Sequence, residues 1–299
     1  MKKIMTLAFG IVMMLLLATP ATAKRQDDGV LRILAIGNSF SDDGMEHLPA
    51  LLENLGVKSV ELARLYVGGC TLEQHARFHH QQEAAYMFYH SKAGENRWTL
   101  HHPVNMQHAL NMGEWDIITL QQASGVSGKY ESFEPYLGEL LTAIHQAQPN
   151  AEVVWHMTWA YSTNSQHGEF PNYDCNQQKM FEAIHNCVHK LQKDYKIKRI
   201  IPSGTAIQSL RMSEINNSPM DFTRDGYHMD YGAGRYAAAC VWYETLIKPY
   251  THISMMGNTL RPDIGWRVTD KMAPYIHKAA KRAAKSPFKA REIKVKKHK

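Results

Sequence analysis

The sequence is poor in whatever would let it fold by any means other than a core of its own. Only four cysteines occur in 299 residues, Cys70, Cys175, Cys187 and Cys240. None lies in a C-x-x-C pair, which removes a thioredoxin-like redox motif and a zinc knuckle from consideration. The 12 prolines and 19 glycines follow no period, so a collagen-like chain is excluded. No repeat and no low-complexity linker interrupts the chain. Beyond residue 17 no apolar run approaches the roughly 20 residues that a membrane helix requires. With 44% hydrophobic and 21% charged residues, disorder and a coiled coil are excluded as well, and a chain of this length buries a sizeable core without disulfide or metal staples.

What is present begins with a leader. Lys2 and Lys3 precede an apolar stretch from Ile4 to Leu17, and Ala21-Thr22-Ala23 follows with the small-x-small spacing of a cleavage site. Residues 1–23 therefore read as a signal peptide, with a mature chain from about Lys24 and export to the periplasm or the medium as the expected destination. The cysteines would then meet an oxidising compartment; three pairings are open, and buried thiols or an incidental disulfide are the expectation. The net charge of +6 is unevenly spread: residues 278–299 hold ten Lys or Arg against the single acid Glu292, which leaves 24–277 near −5. The body is mildly acidic, so no nucleic-acid partner is expected. The basic run suits contact with anionic lipid, acidic glycan or nucleic acid, but as a lone charge run it reads as a solvated, partly disordered end, with 286–299 as the tail.

Between leader and tail, short apolar runs alternate with amphipathic stretches. Strands are predicted at 31–36, 59–67, 116–121, 152–158 and 198–201, and helices near 45–55, 71–87, 132–147, 176–194, 205–212 and 232–247. Apolar strands separated by helices call for a three-layer, doubly wound α/β domain with a five-stranded parallel sheet, covered on both faces, over 24–285. The stretch 88–111, rich in His, Asn and Trp, fits the alternation poorly and reads as an insertion over the site. A last helix at about 270–284 would close the domain. In such a sheet the ligand crevice lies at the carboxyl ends of the strands, so reactive residues should stand just after strands.

Ser39 meets that test. It follows the first strand in Gly37-Asn38-Ser39-Phe40-Ser41, at the entrance to a helix whose first amides lie close by. Ser41, Asp42 and Asp43 offer ordinary helix caps, which leaves Ser39 without a structural duty. A serine hydroxyl needs a base within hydrogen-bond reach and a partner that fixes the base's tautomer. Asp225-Gly226-Tyr227-His228 supplies both, three residues apart in the loop before the last long helix. The histidines at 75, 79, 80, 90, 101, 102 and 108 do not combine with acids at metal-ligand spacing, so neither metal nor cofactor is expected. Trp98, Trp155, Trp159, Tyr161 and Tyr227 are candidates for stacking on sugar rings, though Trp155 and Trp159, on the fourth strand, are more often core.

These blocks resemble the SGNH (GDSL-type) hydrolases, serine esterases and lipases on a flavodoxin-like sheet. Gly37-Asn38-Ser39 is similar to the family's first block with Asn in place of the commoner Asp, and Asp225-Gly226-Tyr227-His228 is similar to its last. The resemblance, spanning about 30–250, implies Ser39 as nucleophile, His228 as general base, Asp225 as the orienting acid, and the amides of Ser39 and Gly69 as an oxyanion hole. The third block departs from the pattern: where the family has G-x-N-D, this chain has Gln121-Gln122-Ala123-Ser124-Gly125. A Gln carboxamide carries the same donor on a longer stem. Gln122 is accordingly expected to complete the oxyanion hole, with Gln121 and Ser124 behind it. Gln121, Ser124, Tyr227 and Trp159 are expected to touch substrate.

By analogy with the fold and from the export signal, the expected activity is hydrolysis of an ester, O-acetyl on a glycan or a small molecule. Lipid or lysophospholipid esters, and a non-catalytic carbohydrate-binding protein on the same fold, are the alternatives.

Overall fold

Leu31, Ile33, Leu34, Ala35 and Ile36 are each no more than 3% exposed, because the strand they form is covered on both faces. Apart from Arg32 at its start, the run is apolar throughout, as a central parallel strand requires. The computed structural model describes residues 28–295. Its strands are β1 (Leu31–Gly37), β2 (Val60–Tyr66), β3 (Tyr86–Ser91), β4 (Thr99–Val104), β5 (Ile117–Leu120), β6 (Glu152–His156) and β7 (Ile200–Ile201), in the spatial order β4-β3-β2-β1-β5-β6-β7. β2, β1, β5, β6 and β7 run parallel and correspond to the five strands expected from the sequence. Their order, with β1 between β2 and β5, is that of a flavodoxin-like sheet.

The helices are α1 (Ser39–Met45), α2 (Leu48–Asn54), α3 (Leu72–Gln81), α4 (Met106–Leu110), α5 (Tyr136–Ala147), α6 (Gln177–Tyr195), α7 (Ser203–Arg211), α8 (Ala233–Trp242), α9 (Lys248–Thr251) and α10 (Ala273–Lys285), with a π-helical turn at Tyr243–Ile247. α1, α2, α7, α8 and α10 pack together, as do α3, α4 and α5. Burial of the apolar side chains between these layers and the sheet stabilises the fold by about 1.5–3 kcal/mol for each Leu, Ile, Val or Phe fully enclosed.

Three expectations are corrected. The helix foreseen over 71–87 opens on a capping box, with the Thr71 and Gln74 side chains exchanging backbone bonds, but stops at Gln82, whose φ of 50° lies in the left-handed region. The stretch 88–111 does not lie over the site: β3 and β4 form an antiparallel hairpin that extends the sheet to seven strands. Tyr66 pairs with Met87 and Leu62 with Ser91, so the hairpin's turn points to the amino ends of the parallel strands, away from the crevice.

The basic end, expected to be solvated from residue 286, is packed as far as it is described. Phe288 stacks on His189 with ring centroids 4.1 Å apart, and its carbonyl accepts from His185 Nε2 at 2.9 Å. The Thr205 hydroxyl donates to the Pro287 carbonyl, and Ile293 is 1% exposed. Residues 1–23, expected to be the signal peptide, lie outside the described residues. No helix among the described residues is long and apolar enough to cross a membrane.

Candidate active site

The crevice side of β1 ends at Gly37, where a Cβ would sit 2.4 Å from Ser41 Oγ and force that side chain to move. The chain then turns directly into α1. The cap is Asn38, not one of the residues from Ser41 to Asp43, as the sequence suggested; its side-chain oxygen accepts from the Phe40 amide at 3.0 Å. Ser39 is thus the first residue of the helix, half-buried, and its amide donates to nothing among the described residues. Asn38 reaches further, donating through Nδ2 to the Cys70 carbonyl at 3.0 Å. That bond fastens the turn after β2, where Gly69 adopts a φ of +64° that favours glycine. The Gly69 amide likewise has no acceptor among the described residues.

The residues 189 positions downstream arrive at this point through a narrow turn. Thr223 and Met229 form an antiparallel bridge, and the Arg224 amide donates to the His228 carbonyl at 3.0 Å. Inside the turn Asp225 Oδ1 accepts from the amides of Tyr227 and His228 at 3.1 and 2.8 Å. A short acid bonding its own backbone in this way fixes the turn. The other oxygen, Oδ2, lies 2.7 Å from His228 Nδ1, and His228 Nε2 lies 2.8 Å from Ser39 Oγ. Since a carboxylate accepts only, Nδ1 carries the proton and Nε2 is left to accept from the hydroxyl. Burial alone would raise the Asp225 carboxyl, but the hydrogen bonds from the His228 side chain, its backbone and the Tyr227 amide outweigh it and hold the group below its ordinary value. The acid is anionic at neutral pH, behind a ring whose far nitrogen faces the Ser39 hydroxyl.

The third block is placed otherwise than expected. Gln122 cannot complete an oxyanion hole: both hydrogens of its Nε2 go to Ser132, at 2.9 Å to the carbonyl and 3.1 Å to the hydroxyl. Its Oε1 accepts from the amides of Leu72 and Ala123. Gln121, 1% exposed, is no substrate contact either; it donates to Asn38 Oδ1 at 2.6 Å and accepts from His156 Nδ1 at 3.0 Å. Ser124 is buried against the Tyr161 hydroxyl at 2.9 Å. Trp159 is fully buried, stacked on Phe40 with centroids 4.5 Å apart, and its Nε1 holds the Tyr227 carbonyl at 2.7 Å. It supports the turn instead of facing substrate. Tyr227 alone of that group remains at the mouth, half-buried, its ring 4.6 Å from His167 and 4.3 Å from His228.

Two contributors are not foreseen from the sequence. Asn38 stood in a motif, but its bond to Cys70 follows only from a carboxamide replacing an acid, which cannot donate. His156 closes β6 after the apolar Val153, Val154 and Trp155, a polar residue whose place was the available signal; its Nε2 meets the Ser203 hydroxyl at 2.9 Å. All four cysteines are free thiols, with Cys175 alone exposed. Among the described residues no group of three or more His, Cys, Asp or Glu is arranged to hold a metal ion. His75, among the histidines weighed as metal ligands, is fully buried against the Tyr86 hydroxyl. A groove of about 670 Å³ runs between α3 and α5, lined by Arg77, His80 and Tyr136 among others, and includes none of Ser39, His228 or Asp225.

Sheet order and site together define a doubly wound α/β protein with a serine, a histidine and an aspartate linked in series at the carboxyl edge of its sheet, as the SGNH resemblance implies. The chain belongs to the family described as Domain of unknown function (DUF4886), whose model matches residues 32–283. It is similar to a DUF4886 family protein from Bacteroides uniformis ATCC 8492, at 37% identity and a TM-score of 0.80 over 88% of this chain and 98% of that one. An acetyl xylan esterase is more distantly similar, at 14% identity and a TM-score of 0.46 over 71% of this chain and 96% of that one. No functionally curated protein matches.

Proposed function

We propose that the protein is an exported serine esterase that removes short acyl groups, O-acetyl above all, from carbohydrate. The observation that carries this reading is the unbroken series of hydrogen bonds from Ser39 Oγ through His228 to Asp225, 2.8 and 2.7 Å long. In the proposed reaction Ser39 Oγ attacks the ester carbonyl carbon while its proton passes to His228 Nε2. Such positioned proton transfer contributes about 10²- to 10⁴-fold. The imidazolium is stabilised by Asp225, which keeps its charge and the ring's orientation. The carbonyl oxygen, now anionic, is met by the amides of Ser39 and Gly69, each donor being worth about 3–4 kcal/mol of barrier. His228 then returns the proton to the departing alcohol, and water, deprotonated by the same nitrogen, releases the acid.

The short acyl group is supported by the filled space beside the imidazole. Phe40, 2% exposed, stands 5.9 Å from the His228 ring and is backed by Trp159. The sugar is supported by the mouth, where Tyr227 and His167 present aromatic rings with polar edges, which suit a pyranose face. Export rests on the leader at residues 1–23.

The test is a fluorophosphonate probe on the mature protein with a panel of esters. Labelling that disappears in Ser39→Ala, and acetylated sugars hydrolysed at least tenfold faster than longer-chain esters, are the expected results. No labelling with sugar binding intact would make the protein a non-catalytic carbohydrate-binding module. A preference for long-chain or lysophospholipid esters would move its substrate to lipid.

A further inference from the structure

Asp43 is the least accessible carboxylate near the site, with its side chain at 0% exposure, and the reaction does not use it. It lies four residues after Ser39, one turn along α1 and on the same side of that helix. An ionised carboxylate so deeply enclosed must be matched by donors or charge, and three groups meet it. Oδ1 accepts from Arg235 Nε at 2.7 Å and from Arg224 Nη1 at 3.1 Å; Oδ2 accepts from the Met229 amide at 2.8 Å. Arg224 immediately precedes Asp225, and Met229 immediately follows His228. One carboxylate therefore holds both ends of the turn that carries the acid and the imidazole. Arg224 Nη1 also donates to the Met229 carbonyl, closing the base of the turn. The Tyr231 ring lies 4.6 and 4.9 Å from the guanidinium carbons of Arg224 and Arg235 and keeps both in place.

We propose that Asp43 is a positioning residue: it fastens the helix bearing Ser39 to the turn bearing His228 and so sets the separation of hydroxyl and imidazole. The inference rests on the esterase reading of Ser39, and its test is built to fail separately from that reading. Asp43→Asn keeps the shape and removes the charge, turning a donor toward groups that themselves donate. With p-nitrophenyl acetate its kcat falls at least tenfold and its KM changes less than threefold, since the small ester's binding does not depend on the clamp. The low-field proton resonance of His228 Nδ1 shifts or broadens along with it.

Arg235→Lys, which leaves the Arg224 and Met229 contacts in place, shows the same two changes at two- to fivefold. A folded Asp43→Asn protein with kcat within twofold of the parent and an unaltered Nδ1 resonance overturns the proposal. Should that variant not fold, the same two readouts on Arg235→Lys decide, an unchanged pair again overturning it. If the parent protein turns over no ester, the esterase reading fails, while the Nδ1 resonance compared between parent and variant still decides whether Asp43 sets the ring's position.

Discussion

His228 and His156 make the same pair of hydrogen bonds in opposite surroundings. Each ring donates from Nδ1 to a side-chain oxygen and accepts at Nε2 from a serine hydroxyl: Asp225 and Ser39 for one, at 2.7 and 2.8 Å, Gln121 and Ser203 for the other, at 3.0 and 2.9 Å. By bond lengths and tautomer the two are nearly interchangeable. His156, however, is 1% exposed, edge-on to Trp242 with centroids 5.0 Å apart, and burial lowers its pKa to about 3. Behind it stands a neutral carboxamide. If His156 took the Ser203 proton, a buried cation and alkoxide would form with only a neutral carboxamide behind the ring, which is costly in a low-dielectric interior. His228 has a carboxylate behind it and an open face. A serine beside a histidine is thus not yet a nucleophile; the charge behind the ring and access to the hydroxyl make the difference.

The comparison can be broken at three points. Asp225→Asn would give His228 the neutral partner that His156 has. The expected result is a folded protein whose kcat/KM for the preferred ester is lower by about 10³- to 10⁴-fold, as when an orienting acid no longer selects the tautomer; a loss under tenfold would mean the acid matters little.

Ser203→Ala deletes the hydroxyl of the buried pair. Stability should fall by about 1–3 kcal/mol, because His156 Nε2 is left buried without a donor, while the rate of fluorophosphonate labelling at Ser39 stays within twofold of the parent. Urea denaturation and the labelling rate, read on one preparation, check both halves.

The third point is in pH. His156 binds a proton below its ordinary 6.5 in the unfolded chain but only near 3 in the folded one, so its contribution to stability is whole above about pH 6.5 and is lost as pH falls toward 3. His156→Gln keeps a donor and an acceptor but has no such proton. The ratio of the two proteins' folding constants should therefore shrink by about tenfold per pH unit between pH 6 and 4, as measured by denaturant titration at each pH. A ratio independent of pH would show that His156 does not titrate on unfolding.

How far the sequence disclosed this arrangement depends on where each bond closes. The five parallel strands were legible because burial on both faces forces nearly continuous apolar runs, as at residues 33–37. Ser39, Asp225 and His228 were legible because strand ends converge in such a sheet. β3 and β4 were not. β4 is exposed along nearly its whole length, and backbone pairing at a sheet's edge asks no particular side chains of it. The role of Gln122 was hidden for another reason. Whether a carboxamide is free depends on Ser132, ten residues on, and on the Leu72 amide, fifty residues back, and local pattern carries neither. Trp159 and the basic end were misjudged through hydrophilic or aromatic composition, which does not say what lies across from a side chain. Phe288 and Ile293 are the apolar residues that anchor that end.

The outermost strand has a consequence for how copies of the protein behave in a crowd. Open ladders recruit neighbours, and the border at β4 discourages this with Pro103, which has no amide hydrogen to offer a newcomer. The opposite border, β7, is two residues long and gives an incoming segment almost nothing to zip along. Growth of the sheet by adding foreign chains is therefore hindered at either margin, by missing chemistry on one side and by missing length on the other.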